Sequence, residues 1–130
     1  MAIAWQRLIS LALSRTGTQS MKQYRIDELR PEDCEKLKAY LDEHYGPSQM
    51  EGLYWLPLDD DLLDDVQTAH RDCQPFYFAI ELRPTAISFE LLIRTRSRVR
   101  CDCMRYANGA QRESIFQLAD AIFETLKILS

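Results

Sequence analysis

Two runs of alternating hydrophobic and polar residues dominate the middle of the chain. The first covers residues 76–83 and the second covers residues 87–94, with Pro84-Thr85 between them. A period of two residues is typical of a strand that buries one face. A third run, residues 98–103, places Val99, Cys101 and Cys103 on one face and charged residues on the other. Because the connections are short, the three runs predict an antiparallel meander with one buried and one solvated face.

Helical and strand-like patterns flank this meander. Residues 23–29 and 53–56 resemble short strands, and residues 31–45 predict a helix that Pro31 opens and Gly46-Pro47 ends. A second helix is expected near residues 62–70, after three aspartates (59–61) that suit a helix start. The last helix follows Asn108-Gly109 and carries a wide apolar face.

The predicted fold is therefore α+β. It has an antiparallel sheet built on a three-strand meander and packed on one face by helices, including a long C-terminal helix. We expect one hydrophobic cluster to contain residues from two strands and the last helix: Phe78, Ile80, Phe89, Leu91, Leu118 and Ile122.

The first twenty residues form a separate segment in this interpretation. Residues 3–15 have the pattern of a short, weakly amphipathic helix, and residues 16–20 resemble a flexible joint before Met21. We expect an N-terminal extension (1–20) and a single domain (21–130), whether Met1 or Met21 is the true start. The extension either contributes little or docks a partner, including a second copy of the chain.

Composition and charge narrow the classes of function. A net charge of −4 argues against bulk attraction to nucleic acid or anionic membranes. The longest apolar stretch near the N-terminus is too short for a membrane span, and four cysteines are too few for a disulfide scaffold in a chain with this much apolar material. These features predict a cytoplasmic protein that is not bound to a membrane.

Four residues could form a metal site. His70 and Cys73 lie three residues apart at the end of a predicted helix, while Cys101 and Cys103 share one side of a predicted strand. Together they would provide a Cys3His set, which suits tetrahedral zinc. The alternatives are redox-active thiols or, as the alternation itself indicates, small buried side chains of the core.

Arginines cluster in the second half of the chain. Residues 83–112 contain seven arginines and no lysine, against two acidic residues, whereas residues 27–72 contain fourteen acidic residues and four basic ones. Arg94, Arg96, Arg98 and Arg100 share parity, so their guanidinium groups could meet an anionic ligand on the solvated face. The alternative is pairing with acidic residues of the same chain.

Enzyme motifs are scarce in this sequence. It contains no glycine-rich phosphate loop, no G-x-S-x-G and no H-E-x-x-H. The sequence therefore favours a small cytoplasmic domain without catalysis that binds a protein partner or a small anionic ligand. Its contact surface would be the arginine-bearing sheet face or the aromatic residues Tyr54 and Trp55. The alternative is a zinc-dependent or thiol-dependent enzyme centred on His70, Cys73, Cys101 and Cys103.

Overall fold

The computed structural model of the protein describes residues 22–48, 50–96 and 100–129. These residues form an α+β fold, as predicted, with a five-stranded antiparallel sheet and helices that include a C-terminal one. The strands are β1 (Gln23–Ile26), β2 (Leu53–Pro57), β3 (Phe76–Arg83), β4 (Ala86–Glu90) and β5 (Arg94–Thr95). The helices are α1 (Pro31–Tyr45), α2 (Asp65–Ala69) and α3 (Gly109–Leu126), with 3-10 turns at Asp60–Leu62 and Arg71–Cys73.

The strand order of the sheet is β1-β4-β3-β2, with β5 paired to β3 as well. Ile80 faces Phe89, and Phe76 faces Thr95, so β3 advances four residues while the opposite chain advances six. The two extra residues make a bulge between β4 and β5, and after the bulge β5 pairs with β3 again. Inside the bulge, Leu91 accepts a hydrogen bond from the amide of Ala107 at 2.8 Å.

The meander of the structure is β2-β3-β4, and only two of its members are those that the sequence predicted. The third predicted strand, residues 98–103, is wrong for its described part: residues 100–103 form no strand and make a turn. The carbonyl of Arg105 accepts from the amide of Ile93, inside the bulge, at 3.0 Å. The described residues just before this contact, 100–104, pair with no strand, and we call them the 100–104 turn.

Polar side chains cap the starts of α2 and α3. At α2, the carboxylate of Asp64 accepts from the amide of Gln67 at 2.7 Å, and the Gln67 side chain accepts from the amide of Asp64 at 3.1 Å. Asn108 and Gln111 make the same reciprocal pair at the start of α3. Asp64 is thus the cap of α2, whereas the cluster Asp59–Asp61 lies one turn earlier, around a 3-10 turn.

The core lies between one face of the sheet and the helices. Five of the six predicted core residues are buried, at 0–1% exposure, whereas Leu118 is only partly buried. Leu118 lies at the edge of the buried face of α3, whose centre is formed by Ile115, Ala119 and Ile122. Cys34 is buried in this core, as its place on the apolar stripe of α1 indicated.

None of the helices in the described ranges combines the length and apolar character needed to cross a membrane. The predicted N-terminal helix (3–15) and the boundary of the extension at residue 20 lie outside the described residues.

Candidate metal centre

His70 and Cys73 are placed by the turn that ends α2. The amide of His70 donates to the carbonyls of Val66 and Gln67, which closes the helix. The next turn is 3-10, and in it the amide of Cys73 donates to the carbonyl of His70 at 3.1 Å. A 3-10 turn has three residues per turn, so residues i and i+3 eclipse one another. The spacing therefore brings both side chains to one side of the helix end.

Cys101 and Cys103 lie in the 100–104 turn. The amide of Met104 donates to the carbonyl of Cys101 at 3.0 Å and fixes a tight turn around both cysteines. Cys103 is fully buried, while Cys101 is half-buried. The predicted strand is absent here, but the turn still directs both thiols toward the end of α2.

The four predicted ligands meet in one cluster. The ligand atoms of His70, Cys73, Cys101 and Cys103 all lie within 4.8 Å of one another. The Sγ atoms of Cys73 and Cys101 are 3.8 Å apart, and Cys101 Sγ is 3.2 Å from His70 Nδ1. Zn–S bonds of about 2.3 Å and Zn–N bonds of about 2.0 Å give tetrahedral edges of about 3.5 to 3.8 Å. Small side-chain rotations would therefore bring the cluster to this geometry.

The thiols of the cluster differ in acidity because their surroundings differ. The pKa of Cys101 is lowered to about 6, chiefly by the backbone amide of Cys103 and then by the Cys103, His70 and Cys73 side chains. Burial raises the pKa of Cys103 to about 12. Without a metal, Cys101 therefore forms a thiolate far more readily than Cys103 does. A bound cation would displace the remaining protons, as is usual for cysteine ligands.

The side chain of Gln67 supports the cluster through hydrogen bonds. Its side-chain amide is fully buried and donates to the carbonyl of Cys103 at 3.2 Å. The same amide accepts from the side chain of Gln111 at 3.0 Å, and Gln111 also donates to the carbonyl of Leu62. This chain of hydrogen bonds connects the Cys103 turn to the first turns of α2 and α3. Sequence reasoning missed Gln67, although the spacing Asp64-x-x-Gln67 before an apolar run is a capping signal.

The four predicted arginines have different environments. The guanidinium of Arg94 makes a 2.6 Å ion pair with Glu90. Arg96 is exposed, and its guanidinium lies 5.9 Å from the ring centroids of both Trp55 and Tyr77. Arg100 is exposed, and within the described ranges it has no carboxylate at salt-bridge distance, whereas Arg98 lies outside those ranges. The aromatic partners of Arg96 complete a surface that the arginine count alone did not reveal.

Comparisons with known proteins add no relationship to this geometry. No protein-family model matches the chain, and no curated protein or solved structure shows significant similarity to it.

Proposed function

We propose that the protein is a small non-catalytic binding domain whose fold is stabilised by one zinc ion. The ligands are His70, Cys73, Cys101 and Cys103. The observation that carries the proposal is the convergence of four soft ligand atoms within 4.8 Å, from two segments far apart in the sequence. Three cysteines and one histidine are a common ligand set of structural zinc sites.

The ligand count favours a structural ion over a catalytic one. A catalytic zinc keeps one coordination position for water or substrate, whereas four protein ligands fill the tetrahedron. Cys73 and Cys103 are also almost completely buried, at 3% and 0% exposure. A zinc ion here would join the end of α2 to the turn of residues 101–103, across 28 residues of chain. Its contribution would be to folding and to the position of the 100–104 turn.

The cellular location we propose follows from the same ligands. The thiols must stay reduced to bind zinc, and none of the four cysteines forms a disulfide. A reducing compartment such as the cytoplasm suits this chemistry.

Metal analysis of the purified full-length protein tests the proposal. We expect about one zinc per chain by plasma mass spectrometry, in agreement with a four-ligand site. Replacement by Co²⁺ should give the intense visible bands of a tetrahedral ion and a thiolate-to-cobalt charge-transfer band. Cys73→Ser and Cys101→Ser should each reduce the metal content and weaken the charge-transfer band.

Cys34→Ala is the matched control, because Cys34 lies in the core and outside the cluster. This variant should keep its metal and its cobalt spectrum even if it is less stable. A native protein purified without metal, together with no charge-transfer band on cobalt titration, would overturn the proposal.

Thiol-dependent chemistry at Cys101 is a second candidate function. Its thiol is half-buried, 3.2 Å from His70 Nδ1 and 3.8 Å from the thiol of Cys73, so a nucleophile, a base and a second thiol lie together. Alkylation followed by mass spectrometry separates the two functions. A zinc ligand should react slowly until a chelator is added, whereas a free catalytic thiol should react rapidly with or without one.

A further inference from the structure

An aromatic and arginine surface lies on the sheet face opposite the core. Trp55 on β2 and Tyr77 on β3 are half-buried, with ring centroids 6.1 Å apart and planes at 71°. Arg96 follows β5 and places its guanidinium 5.9 Å from each ring. We call these three residues the Trp55–Tyr77–Arg96 surface.

Several hollows adjoin this surface in the described part of the chain, and two of them exceed 300 Å³. One, of about 320 Å³, lies between the three side chains and the end of α1, where His44, Tyr45 and Pro47 form its other wall. The second, of about 400 Å³, lies beside Tyr77 and Arg96 and reaches Gln74 and Pro75. Volumes of about 300 Å³ and above are in the range of small-molecule sites. The surface is therefore concave enough to hold a compact ligand.

The charges around Arg96 indicate that the ligand is an anion. Within the described part of the chain, no carboxylate lies at salt-bridge distance from Arg96, and its two described partners are the rings of Trp55 and Tyr77. A bare aromatic pair would attract a cation, but here the guanidinium occupies that position. The distance of 5.9 Å is at the outer limit of a cation–π contact, so the arginine can turn toward an incoming anion at little cost.

We propose that this surface binds a mononucleotide-sized ligand, meaning a planar aromatic ring that carries a phosphate. The ring would stack on Trp55 or Tyr77, and the phosphate would accept hydrogen bonds from Arg96. Stacking on aromatic side chains and bidentate arginine contacts are the usual means of holding these two groups. The net charge of −4 disfavours a long polyanion, which is why a single nucleotide is the better fit.

This proposal does not depend on the zinc site. The surface is built by β2, β3 and the residue after β5, and it contains none of the four metal ligands. A failure of nucleotide binding would therefore leave the zinc proposal unaffected, and a failure to find zinc would leave the nucleotide proposal unaffected.

Tryptophan fluorescence provides a direct test. The chain has two tryptophans, so Trp5→Phe leaves Trp55 as the only tryptophan, and excitation at the red edge of the tryptophan band avoids the tyrosines. Titration of this protein with AMP should quench Trp55 in a saturable way at low salt and more weakly at moderate salt. Adenosine and ribose 5-phosphate each lack one half of the recognised group, and both should bind at least about tenfold more weakly than AMP.

Two further variants in the same background locate the site. Arg96→Gln should weaken AMP binding about tenfold, as expected for one lost charged contact. Arg25→Gln removes the same charge from β1, at the opposite edge of the sheet, and should change affinity less than about twofold. Tyr77→Leu is a second probe, and matching thermal melts show that each variant remains folded.

Three outcomes would overturn the proposal. The first is no saturable quenching by AMP at millimolar concentrations. The second is an equal loss of affinity in Arg25→Gln and Arg96→Gln, which would indicate a general charge effect. The third is much tighter binding of a short oligonucleotide than of AMP, which would assign the surface to single strands and not to a mononucleotide.

Discussion

Gln67 offers the sharpest test of how the fold supports the candidate metal centre. The change Gln67→Leu keeps a side chain of similar size but removes every polar atom of the buried amide. It breaks the bond to the Cys103 carbonyl and the bond from the Gln111 side chain. The capping contact with the amide of Asp64 is lost as well, although Asp64 is only partly buried.

The expected loss of stability follows from these broken bonds. A buried polar group left without a partner costs about 1 to 3 kcal/mol, and the Cys103 carbonyl falls in this class. Gln111 loses one bond but keeps the 2.7 Å bond to Leu62, so its share should be near the lower end. The leucine side chain offsets about 1 kcal/mol of this loss, because it buries extra apolar surface. We therefore expect a net destabilisation of about 1 to 3 kcal/mol.

Urea unfolding measures this loss, and a zinc competition titration measures its effect on the metal site. Partners that orient a metal ligand typically change affinity by about 10-fold to 100-fold, so we expect about tenfold weaker zinc binding. Gln117→Leu is the matched control, because Gln117 is exposed on α3 and should change stability by less than about 0.5 kcal/mol. If Gln67→Leu were as harmless as this control, the supporting role assigned to Gln67 would be refuted.

Three further predictions concern the fold. Phe89→Ala should lower the free energy of unfolding by about 3 to 5 kcal/mol in denaturant titration, because Phe89 is fully buried. Gly52→Ala should destabilise more than Gly46→Ala: both glycines have positive φ, but only at Gly52 would a Cβ lie 2.4 Å from the Leu82 carbonyl. The buried Asp33 carboxyl has its pKa lowered below 3.8, chiefly by its hydrogen bond from a neighbouring arginine. Because the folded-state pKa is depressed, Asp33 should stabilise the fold fully above pH 3.8 and lose this effect as the pH falls through the folded pKa. Unfolding curves at stepped pH measure this change in stability. Asp33→Asn should flatten it.

The sequence predicted those elements whose pattern reports directly on burial. The period of two in residues 76–83 arises because β3 has one face against the core, and the stripe of α1 arises in the same way. Residues 98–103 have the same alternation, but their described part is a turn. In Cys101-Asp102-Cys103 the alternation places two thiols near His70 and Cys73 and an exposed acid between them. Alternation of buried and exposed residues therefore does not require a strand.

The candidate site was predictable in its residue types and not in its geometry. His70 and Cys73 could be grouped from their spacing, because three residues bring side chains to one side of a helical turn. Their contact with Cys101 depends on contacts between residues distant in the sequence, such as the bond from Gln67 to the Cys103 carbonyl, which the local pattern does not specify. The roles of Gln67 and of Arg96 depend on the same long-range placement.

The 100–104 turn needs an attachment that the sheet does not provide. The bond between Ile93 and Arg105 holds the chain just after this turn, but residues 100–104 themselves pair with no strand. The Gln67 bond to the Cys103 carbonyl is a single contact of the neutral kind, worth about 1 kcal/mol. A cross-link between Cys73 and Cys101 closes a loop of 28 residues. By the relation used for disulfides, closing such a loop lowers the conformational entropy of the unfolded chain by the equivalent of about 3 to 4 kcal/mol. Zinc would provide that cross-link and would also neutralise the clustered thiolates, so its removal should destabilise the protein more than the loss of Gln67 does.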